Sequence, residues 1–399
     1  MKKGLKSCLS VGNIAKHLCK SITCIRLKTE PMQLQDASLS PKVYIGLDIH
    51  KKTWSISIRT DICEHKTFNM PSRPEVLYEY VHKHFTEHEI NLTYEAGCCG
   101  YHAARYFLNL GWNVLVVNPA DVPRMNKQNY QKTDKIDSRN LCKQLEQNNL
   151  KALYVPTEVE EQFRSLLRQR NHISKQLRRI KAFIKSMLLF HGVVIPVEYD
   201  NPYWSLAFKK WLEEVKWINK CGDLSMKSKI RSLNFHHQEY LDLGTEIRAY
   251  SRKHHKKDYY LLKSIPGIGG YLAAAIIAEC GNIRRFANEK QFSSYIGIVP
   301  GMYNSGPKEV TLGITPRCKQ ILRSYLIESA WVAVRKDPEM QAYYRKHIGK
   351  NAKSIIVKVA HKMVRRILSV IKNETPYEIN RLQNSVGKTQ ESVVTLPSM

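Results

Sequence analysis

Four acidic residues stand where their side chains could act together on a phosphodiester. Asp48 closes the strand-like run VYIGLDI, Glu95 closes NLTYE, and Asp134 and Asp137 lie three residues apart in KTDKIDSRN. Strand ends are where α/β sheets place catalytic groups, and a spacing of three residues puts both aspartates on one face of a helix. Four oxygen donors of this kind predict a Mg²⁺ site, with two ions about 4 Å apart as in phosphoryl-transfer enzymes.

Crowding of the four carboxylates is itself a reason to expect metal. They would repel one another and take up protons unless cations neutralised them. In this interpretation Asp48 bridges the two ions with Glu95 beside it, and Asp134 and Asp137 hold the second ion. His50, directly after the strand, could orient DNA or a metal-bound water, but an ordinary surface histidine is the favoured interpretation.

The elements that must position these acids form a mixed α/β domain, predicted over residues 42–155. Its apolar pattern changes repeatedly between a period of two and a period of 3.6. Predicted strands are VYIGLDI, TWSISIRTD, HKTFNM, NLTYEA and WNVLVVNP, and predicted helices are GYHAARYFLNLG and TDKIDSRNLCKQLEQN. Thr133 can act as the N-cap of the second helix. The carboxylates therefore come from strand ends and from one helix start.

The overall charge indicates a polyanionic partner. Lys and Arg number 63 against 35 Asp and Glu, which gives a formal net charge of +28. Such an excess favours nucleic acid, and no apolar run approaches the roughly 18 residues that a membrane span needs. Ten cysteines show no CxxC spacing, so neither zinc nor a disulfide framework is expected, and a reducing cytoplasm fits. Residues 1–41 are expected to be a disordered basic arm rather than a transit peptide, with Met32 as an alternative start.

A helical linker is predicted over residues 156–260. Apolar residues recur every seven positions with others between them, which is typical of a short coiled coil, at Leu166, Ile173, Leu177, Ile180, Ile184 and Met187. The same stretch carries cations and no acid after position 163, and we predict nucleic-acid contact for Arg164, Arg168, Lys175, Arg178, Arg179 and Lys181. An ordinary solvated helix is the alternative. Residues 191–226 would form the tip, and 227–258 an amphipathic return helix.

A second globular domain, mainly α-helical, is predicted over residues 261–375. The turn PGIGG contains Gly267 and Gly269 and resembles a helix-hairpin-helix element, whose backbone N–H groups bind phosphate; a tight helix–helix corner is the alternative. SGPKEVTLGITPR is expected to be a loop, followed by helices at 318–335 and 352–373. The last helix offers Lys358, Lys362 and Arg365 to an anion. Residues 376–399 are expected to be a disordered tail.

These motifs, taken in order, resemble one known family. GLDIHKKTW, YEAGCCGYH, VNPADV, KTDKIDSRNL, SIPGIGG and YIGIVPGMYNSG are similar to motifs of the IS110 family of insertion-sequence transposases, the DEDD recombinases. The resemblance covers residues 43 to about 373. It implies a ribonuclease-H/RuvC-like N-terminal domain, a coiled-coil linker and a C-terminal transposase domain, with the metal-binding acids on Asp48, Glu95, Asp134 and Asp137 and a nucleophilic serine on Ser305.

The resemblance also implies partners. Relatives use a structured non-coding bridge RNA that pairs with donor and target DNA, and they assemble as oligomers, so a dimer or tetramer is expected here. Relatives commonly read ITKxGNxxLR after the serine, whereas this chain reads ITPRCKQILR. Arg323 keeps the arginine, and Arg317 or Lys319 could replace the lysine.

The expected chemistry is strand exchange through a serine–DNA intermediate. A serine hydroxyl is a weak nucleophile and needs a base or a metal, and Arg317, Lys319 and Arg323 would stabilise the negatively charged pentavalent phosphate. Two alternatives remain open from the residues alone. One is a RuvC-like, Mg²⁺-dependent, structure-specific nuclease that hydrolyses with water, and the other is a non-enzymatic nucleic-acid-binding protein.

Overall fold

The computed structural model describes residues 40–123, 133–305, 308–349 and 351–379, and these form two compact units that divide at Val155 and Pro156. The predicted basic arm, apart from its last two residues, lies outside the described residues, as does the tail after residue 379. Along the described chain no helix combines the length and apolarity that crossing a lipid bilayer requires.

The first unit is a five-stranded mixed sheet in the order β3-β2-β1-β4-β5. Strand β1 pairs antiparallel with β2 and parallel with β4, while β3 and β5 are the outer strands. The strands are β1 (Lys42–Ile49), β2 (Thr53–Thr60), β3 (Glu64–Pro71), β4 (Glu89–Glu95) and β5 (Asn113–Val117). The helices are α1 (Pro74–His84), α2 (His102–Asn109) and α3 (Asp134–Glu146). The predicted strands and the two predicted helices are confirmed, and the mixed α/β class with them.

Successive residues of β1 point to opposite faces of the sheet, and both faces are covered by helices. Val43, Ile45 and Leu47 are fully buried and belong to a core that includes residues of α1 and α2. The residues between them in β1 point to the opposite face, because strand side chains alternate. Gly46 lies on that opposite face, directly under α3. Helix α3 therefore packs close to the backbone of the central strand.

The second unit is largely helical. Its helices are α4 (Glu158–Phe190), α5 (Leu206–Glu214), α6 (Lys220–His254), α7 (Lys256–Lys263), α8 (Gly270–Cys280), α9 (Glu289–Ile296), α10 (Gln320–Lys336), α11 (Pro338–Arg345) and α12 (Ala352–Asn373). A two-stranded antiparallel sheet of β6 (Pro300–Ser305) and β7 (Lys308–Ile314) completes it. The expectation of a loop at this point was wrong for β7, whose backbone pairs with β6.

Helices α4 and α6 form a hairpin within one chain. Phe163 packs against Tyr250, Arg170 against Tyr240, and Met187 accepts a weak hydrogen bond from Ser225, so the two helices run in opposite directions. Ile173, Leu177 and Ile184 of the predicted seven-residue pattern are buried between α4 and α6 or α5, whereas Leu166, Ile180 and Met187 are partly buried. The apolar seam of α4 is thus covered by the same chain.

Two features of the second unit differ from expectation. The predicted return helix starts earlier, at Lys220, and ends at His254, with α7 as a separate helix. In the predicted tail, Tyr377 is held by the unit: its backbone N–H donates to Ser264 Oγ at 2.7 Å and its hydroxyl donates to Asp337 Oδ2 at 3.2 Å.

Candidate metal centre and nucleic-acid interface

Two of the predicted acids end neighbouring parallel strands. The register of β1 and β4 pairs Leu47 with Tyr94, so that Asp48 and Glu95 follow the last matched pair. Residues that lie opposite each other on paired strands point to the same face of the sheet. Asp48 shares the face of Gly46, because it lies two residues further along β1. The strand ends therefore present both acids toward the face that α3 covers.

Contacts along its length fix α3 over the sheet. Cys142 Sγ donates to Tyr44 O at 3.1 Å, and Ser138 Oγ lies 3.0 Å from Ser57 Oγ. At the C-terminal end, Arg59 Nε donates to Glu146 Oε2 at 2.9 Å. These interactions hold α3 in place on the sheet, and they thereby fix the position of the carboxylates in its first turn.

The N-terminus of α3 carries the predicted pair of aspartates. Thr133 is the N-cap, and its side-chain oxygen accepts a hydrogen bond from the Ile136 N–H, as the sequence predicted. Asp134 and Asp137 both lie in the first turn. Carboxylates are favoured at this end of a helix, because the unpaired N–H groups and the helix dipole are positive there.

Three side chains converge at this point. His50 Nε2 lies 3.3 Å from Asp48 Oδ2 and 3.5 Å from Asp134 Oδ1, and one ligand atom from each of the three residues lies within 4.8 Å of the others. Asp48 is partly buried, with 22% of its side chain exposed, whereas His50 and Asp134 are exposed at 52% and 63%. His50 and Asp134 thus face solvent, whereas most of the Asp48 side chain is covered.

Electrostatics at Asp48 agree with a site built to receive a cation. Burial raises the pKa of the Asp48 carboxyl above its ordinary value, and repulsion from Asp134 and Asp137 raises it further, while His50 opposes the shift. A divalent cation would relieve both effects, because it compensates for lost solvation and for repulsion among the carboxylates. The donor set of two carboxylates and one imidazole fits a divalent metal ion.

The four predicted acids are only partly brought together. Among the described residues, Glu95 and Asp137 stand outside the group whose ligand atoms lie within 4.8 Å of one another. Glu95 ends the strand next to Asp48, and Asp137 is near enough to affect the pKa of Asp48. His50, for which the sequence favoured an ordinary surface histidine, lies within this group. Its signal was the spacing Asp-x-His at a strand end, since residues i and i+2 share a face.

Ser305 belongs to the second unit. It is the last residue of β6, and its backbone pairs with Lys308 of β7. The side chains of residues 302–312 lie outside the described part, so the predicted nucleophile is placed here by its backbone alone.

Cations on α4 divide into two groups. Arg164 is nearly buried and lies 3.8 Å from Glu279 Oε2, and Arg168 Nε donates to Glu279 Oε1 at 3.0 Å. Both therefore pair with one buried carboxylate, which lies on α8 and is far from α4 in the sequence. Further along the helix the cations are exposed, at Lys175, Arg178 and Arg179, while burial lowers the pKa of the partly exposed Lys181.

The PGIGG turn has two different glycines. Gly267 has φ +92°, and a Cβ there would stand 2.7 Å from Ser329 O, while Ser329 Oγ donates to Gly267 O at 2.6 Å. Gly267 therefore forms a tight corner between helices, which was the alternative to phosphate binding at this turn. Gly269 is the N-cap of α8, and a Cβ there would have open space around it, so the phosphate contact expected of this turn stays a prediction at Gly269.

Residues after β7 take part in local structure. Arg323 Nη1 donates to Thr315 O at 2.7 Å and contacts Gly297 O, which ties the end of β7 to the start of α10. Burial lowers the pKa of Lys319, whose ammonium lies 5.3 Å from the Tyr295 ring centre. Arg317 is exposed.

On α12 the predicted cations are partly paired with acids. Lys362 donates to Glu339 at 3.3 Å, and Arg365 lies 2.5 Å from Glu289. Lys358 is half-buried.

An α/β sheet with carboxylates gathered at its strand ends is typical of metal-dependent enzymes that act on phosphate esters. Comparison with known families identifies one family within this class of enzymes. A family model described as "Transposase" matches residues 45–192, and a second, described as "Transposase IS116/IS110/IS902 family", matches residues 259–345. Together they cover more than half of the chain, which therefore belongs to the IS110 family of transposases.

Individual relatives agree. A transposase homologue of Sinorhizobium fredii is 26% identical over 238 residues, which cover 60% of this chain and 57% of the relative. The transposase for insertion sequence element IS1111A of Coxiella burnetii is 26% identical over 242 residues, 59% of this chain and 63% of the relative. The chain thus spans about three fifths of the length of these two relatives. The pilin gene-inverting protein of Moraxella bovis is 22% identical over 348 residues, 84% of this chain and 98% of the relative.

Proposed function

We propose that the protein is a DNA transposase or recombinase of an insertion sequence that cuts and rejoins DNA strands in the cytoplasm. The observation that carries this proposal is the convergence of Asp48, His50 and Asp134 at 3.3 and 3.5 Å on a sheet edge of the kind where α/β enzymes act. Membership of the family supports DNA as the substrate, and the formal charge of +28 agrees with it.

In this proposal the first unit is a RuvC-like domain, the α4–α6 hairpin is a linker and the rest of the second unit is the transposase domain. Asp48 and Asp134 would hold Mg²⁺, with Glu95 and Asp137 completing a quartet for two ions. A bound divalent cation would supply Lewis-acid stabilisation of charge on the phosphate oxygens. Asp48 and Asp134 would hold that cation in place, and DNA would reach the site from the side on which His50 and Asp134 are exposed.

Ser305 is the proposed nucleophile. Its Oγ–P bond would form as one phosphodiester P–O bond breaks, and the serine proton would end on the departing sugar oxygen. The reverse reaction, with another strand's sugar hydroxyl attacking phosphorus, would release the serine and join that strand. The energy of the broken phosphodiester bond would be conserved in the serine–phosphate bond. Another strand could then be joined without an external energy source, which suits strand exchange rather than hydrolysis.

Partners follow from the same proposal. Donor and target DNA would be selected through pairing with a structured bridge RNA, and the protein would bind the nucleic acids through their backbones. Exposed Lys175, Arg178 and Arg179 support this, because cations contribute affinity without reading sequence. Membership of the family also supports a dimer or tetramer, in which the acids of one copy would act with the serine of another.

Denaturing gels of the protein incubated with DNA from the element's ends test the chemistry. A covalent protein–DNA adduct is expected, and it should be lost in Ser305→Ala and Asp48→Asn but kept in Ser186→Ala, which removes an exposed serine of α4. Undiminished cutting by Ser305→Ala would instead indicate a RuvC-like nuclease that uses water. Unchanged behaviour of Asp48→Asn in every assay would indicate a non-enzymatic binding protein.

Mixing the two inactive variants tests the composite site. If Ser305→Ala and Asp48→Asn protomers together recover the adduct, one copy supplies the acids and another supplies the serine. Sequencing of RNA that co-purifies with the protein tests the guide, and ribonuclease treatment before DNA addition should then abolish cutting.

A further inference from the structure

His50 has a fixed place in the turn that follows β1. Its backbone N–H donates to Thr53 O at 3.2 Å, which closes the turn between β1 and β2. The ring then extends toward α3, where Nε2 lies 3.3 Å from Asp48 and 3.5 Å from Asp134. This one nitrogen therefore contacts a carboxylate from the sheet and a carboxylate from the helix.

Those separations match neighbouring ligands of one ion. Metal–ligand bonds of about 2.1 Å place adjacent donors of an octahedral ion about 3.0 Å apart. Small movements of exposed side chains would bring the three donor atoms from the observed spacing to that value, and His50 and Asp134 are each more than half exposed. Without a metal, an N–H at this nitrogen would serve both carboxylates as an ion pair, and a bound cation would take the place of that proton.

We propose that His50 is a metal ligand through Nε2, and that this nitrogen makes the site prefer a transition-metal dication such as Mn²⁺ over Mg²⁺. The inference rests on the proposed function, because the two carboxylates are the ones assigned there to the catalytic cation.

The reason for the preference is the chemistry of the donors. Mg²⁺ is a hard ion that takes oxygen ligands and retains several waters, so an imidazole adds little to its affinity. Transition-metal dications gain from an imidazole nitrogen, increasingly along the series from Mn²⁺ to Cu²⁺. A site of carboxylates alone would discriminate less between Mn²⁺ and Mg²⁺ than one that includes His50.

Direct binding measurements on the full-length, metal-free protein test this inference without any assay of activity. Mn²⁺ binding followed by electron paramagnetic resonance should give an affinity that falls at least about tenfold in His50→Gln, and competition with Mg²⁺ should show a much smaller loss for Mg²⁺. Spin-echo modulation from a coordinated ¹⁴N nucleus should be present in the wild-type Mn²⁺ complex and absent in His50→Gln. His82→Gln removes an exposed histidine of α1 and should leave both signals unchanged.

The outcomes separate this inference from the function on which it rests. Binding of Mn²⁺ that is lost in Asp48→Asn but shows no ¹⁴N modulation, with equal selectivity in His50→Gln, would overturn the role of His50 and leave the carboxylate site standing. Failure of the wild-type protein to bind either cation, with or without DNA, would overturn the carboxylate site as well.

Discussion

Gly46 of β1 lies so close under Ser138 of α3 that a Cβ atom on Gly46 would stand 2.2 Å from the Ser138 carbonyl oxygen. The same atom would stand 2.5 Å from the backbone nitrogen of Cys142. Both neighbours are backbone atoms, which cannot rotate away as a flexible side chain could. Any side chain at position 46 must therefore push α3 from the sheet, and Asp134 with it.

This relationship predicts that Gly46→Ala impairs metal binding although the residue contacts no ligand atom. We expect a loss of unfolding free energy of about 1–3 kcal/mol from overpacking, together with a weaker affinity for Mn²⁺ because Asp134 moves away from Asp48. Calorimetric titration of the folded variant with Mn²⁺ measures the second effect separately from the first.

Gly97→Ala is the matched control, since its Cβ would meet only a backbone oxygen at 3.9 Å in the same unit. It should fold and bind as the wild type does. If Gly46→Ala bound metal with unchanged affinity, the close contact between β1 and α3 would not be what positions the site.

The raised pKa of Asp48 predicts a stability effect of defined sign. Because the folded-state pKa is above the ordinary value of 3.8, the favourable contribution of protonated Asp48 is present below that value and lost as the pH rises through the folded-state pKa. In metal-free solution at pH 7, Asp48→Asn should therefore melt at a higher temperature than the wild type. The difference should shrink as the pH falls toward about 4.

Calorimetric melting in chelator from pH 7.5 to pH 4 measures this dependence, with exposed Glu87→Gln as a carboxyl control in the same unit. Added divalent cation should reverse the order, since a ligand of the folded state raises only the wild-type melting temperature. A variant that melts below the wild type in chelator at pH 7 would show that burial and repulsion at Asp48 are not the dominant effects.

Sequence periodicity was enough to predict the sheet of the first unit, because each strand alternates apolar and polar residues and ends at a turn. It also predicted that Asp48 and Glu95 lie at strand ends and that Asp134 and Asp137 lie at the start of a helix, as they do in the structure. It favoured an ordinary surface histidine at position 50, because the contacts of His50 with the two aspartates depend on the turn closed at Thr53 and on a helix more than 80 positions away.

Long-range pairing also limited the predictions in the second unit. The cations Arg164 and Arg168 looked unpaired because no acid lies near them in sequence, but Glu279 of α8 meets them in the fold. Strand β7 was not predicted, because the glycines and prolines around it indicated a loop. Its extended backbone is stabilised by pairing with β6, which depends on the fold.

A buried ion pair predicts where the second unit is most sensitive. Asp337 is 1% exposed, caps α11 by accepting from the Glu339 and Met340 N–H groups, and pairs with Arg366. Asp337→Ala should lower the unfolding free energy by about 3–5 kcal/mol, because it leaves the guanidinium of Arg366 without its buried partner.

Urea unfolding followed by circular dichroism gives the comparison. Glu339→Gln removes the second, half-exposed carboxylate that pairs with Arg366, and it should cost no more than about 1 kcal/mol. Equal costs for the two variants would mean that the buried carboxylate contributes no more than the exposed one.

The exposed cations of α4 predict the salt dependence of nucleic-acid binding. Substitution of Lys175, Arg178 and Arg179 by glutamine should weaken binding to any duplex and reduce the slope of log K against log salt by about 2 to 3, because each phosphate contact contributes a slope of about 0.9. Fluorescence anisotropy with two unrelated duplexes across a range of salt concentrations measures both quantities. Lys227→Gln, which removes a cation already paired with Asp223 at 2.9 Å, is the control and should leave the slope unchanged. An unchanged slope in the triple variant would mean that this face of α4 is an ordinary solvated surface, whereas a loss confined to one duplex would indicate base recognition rather than backbone contact.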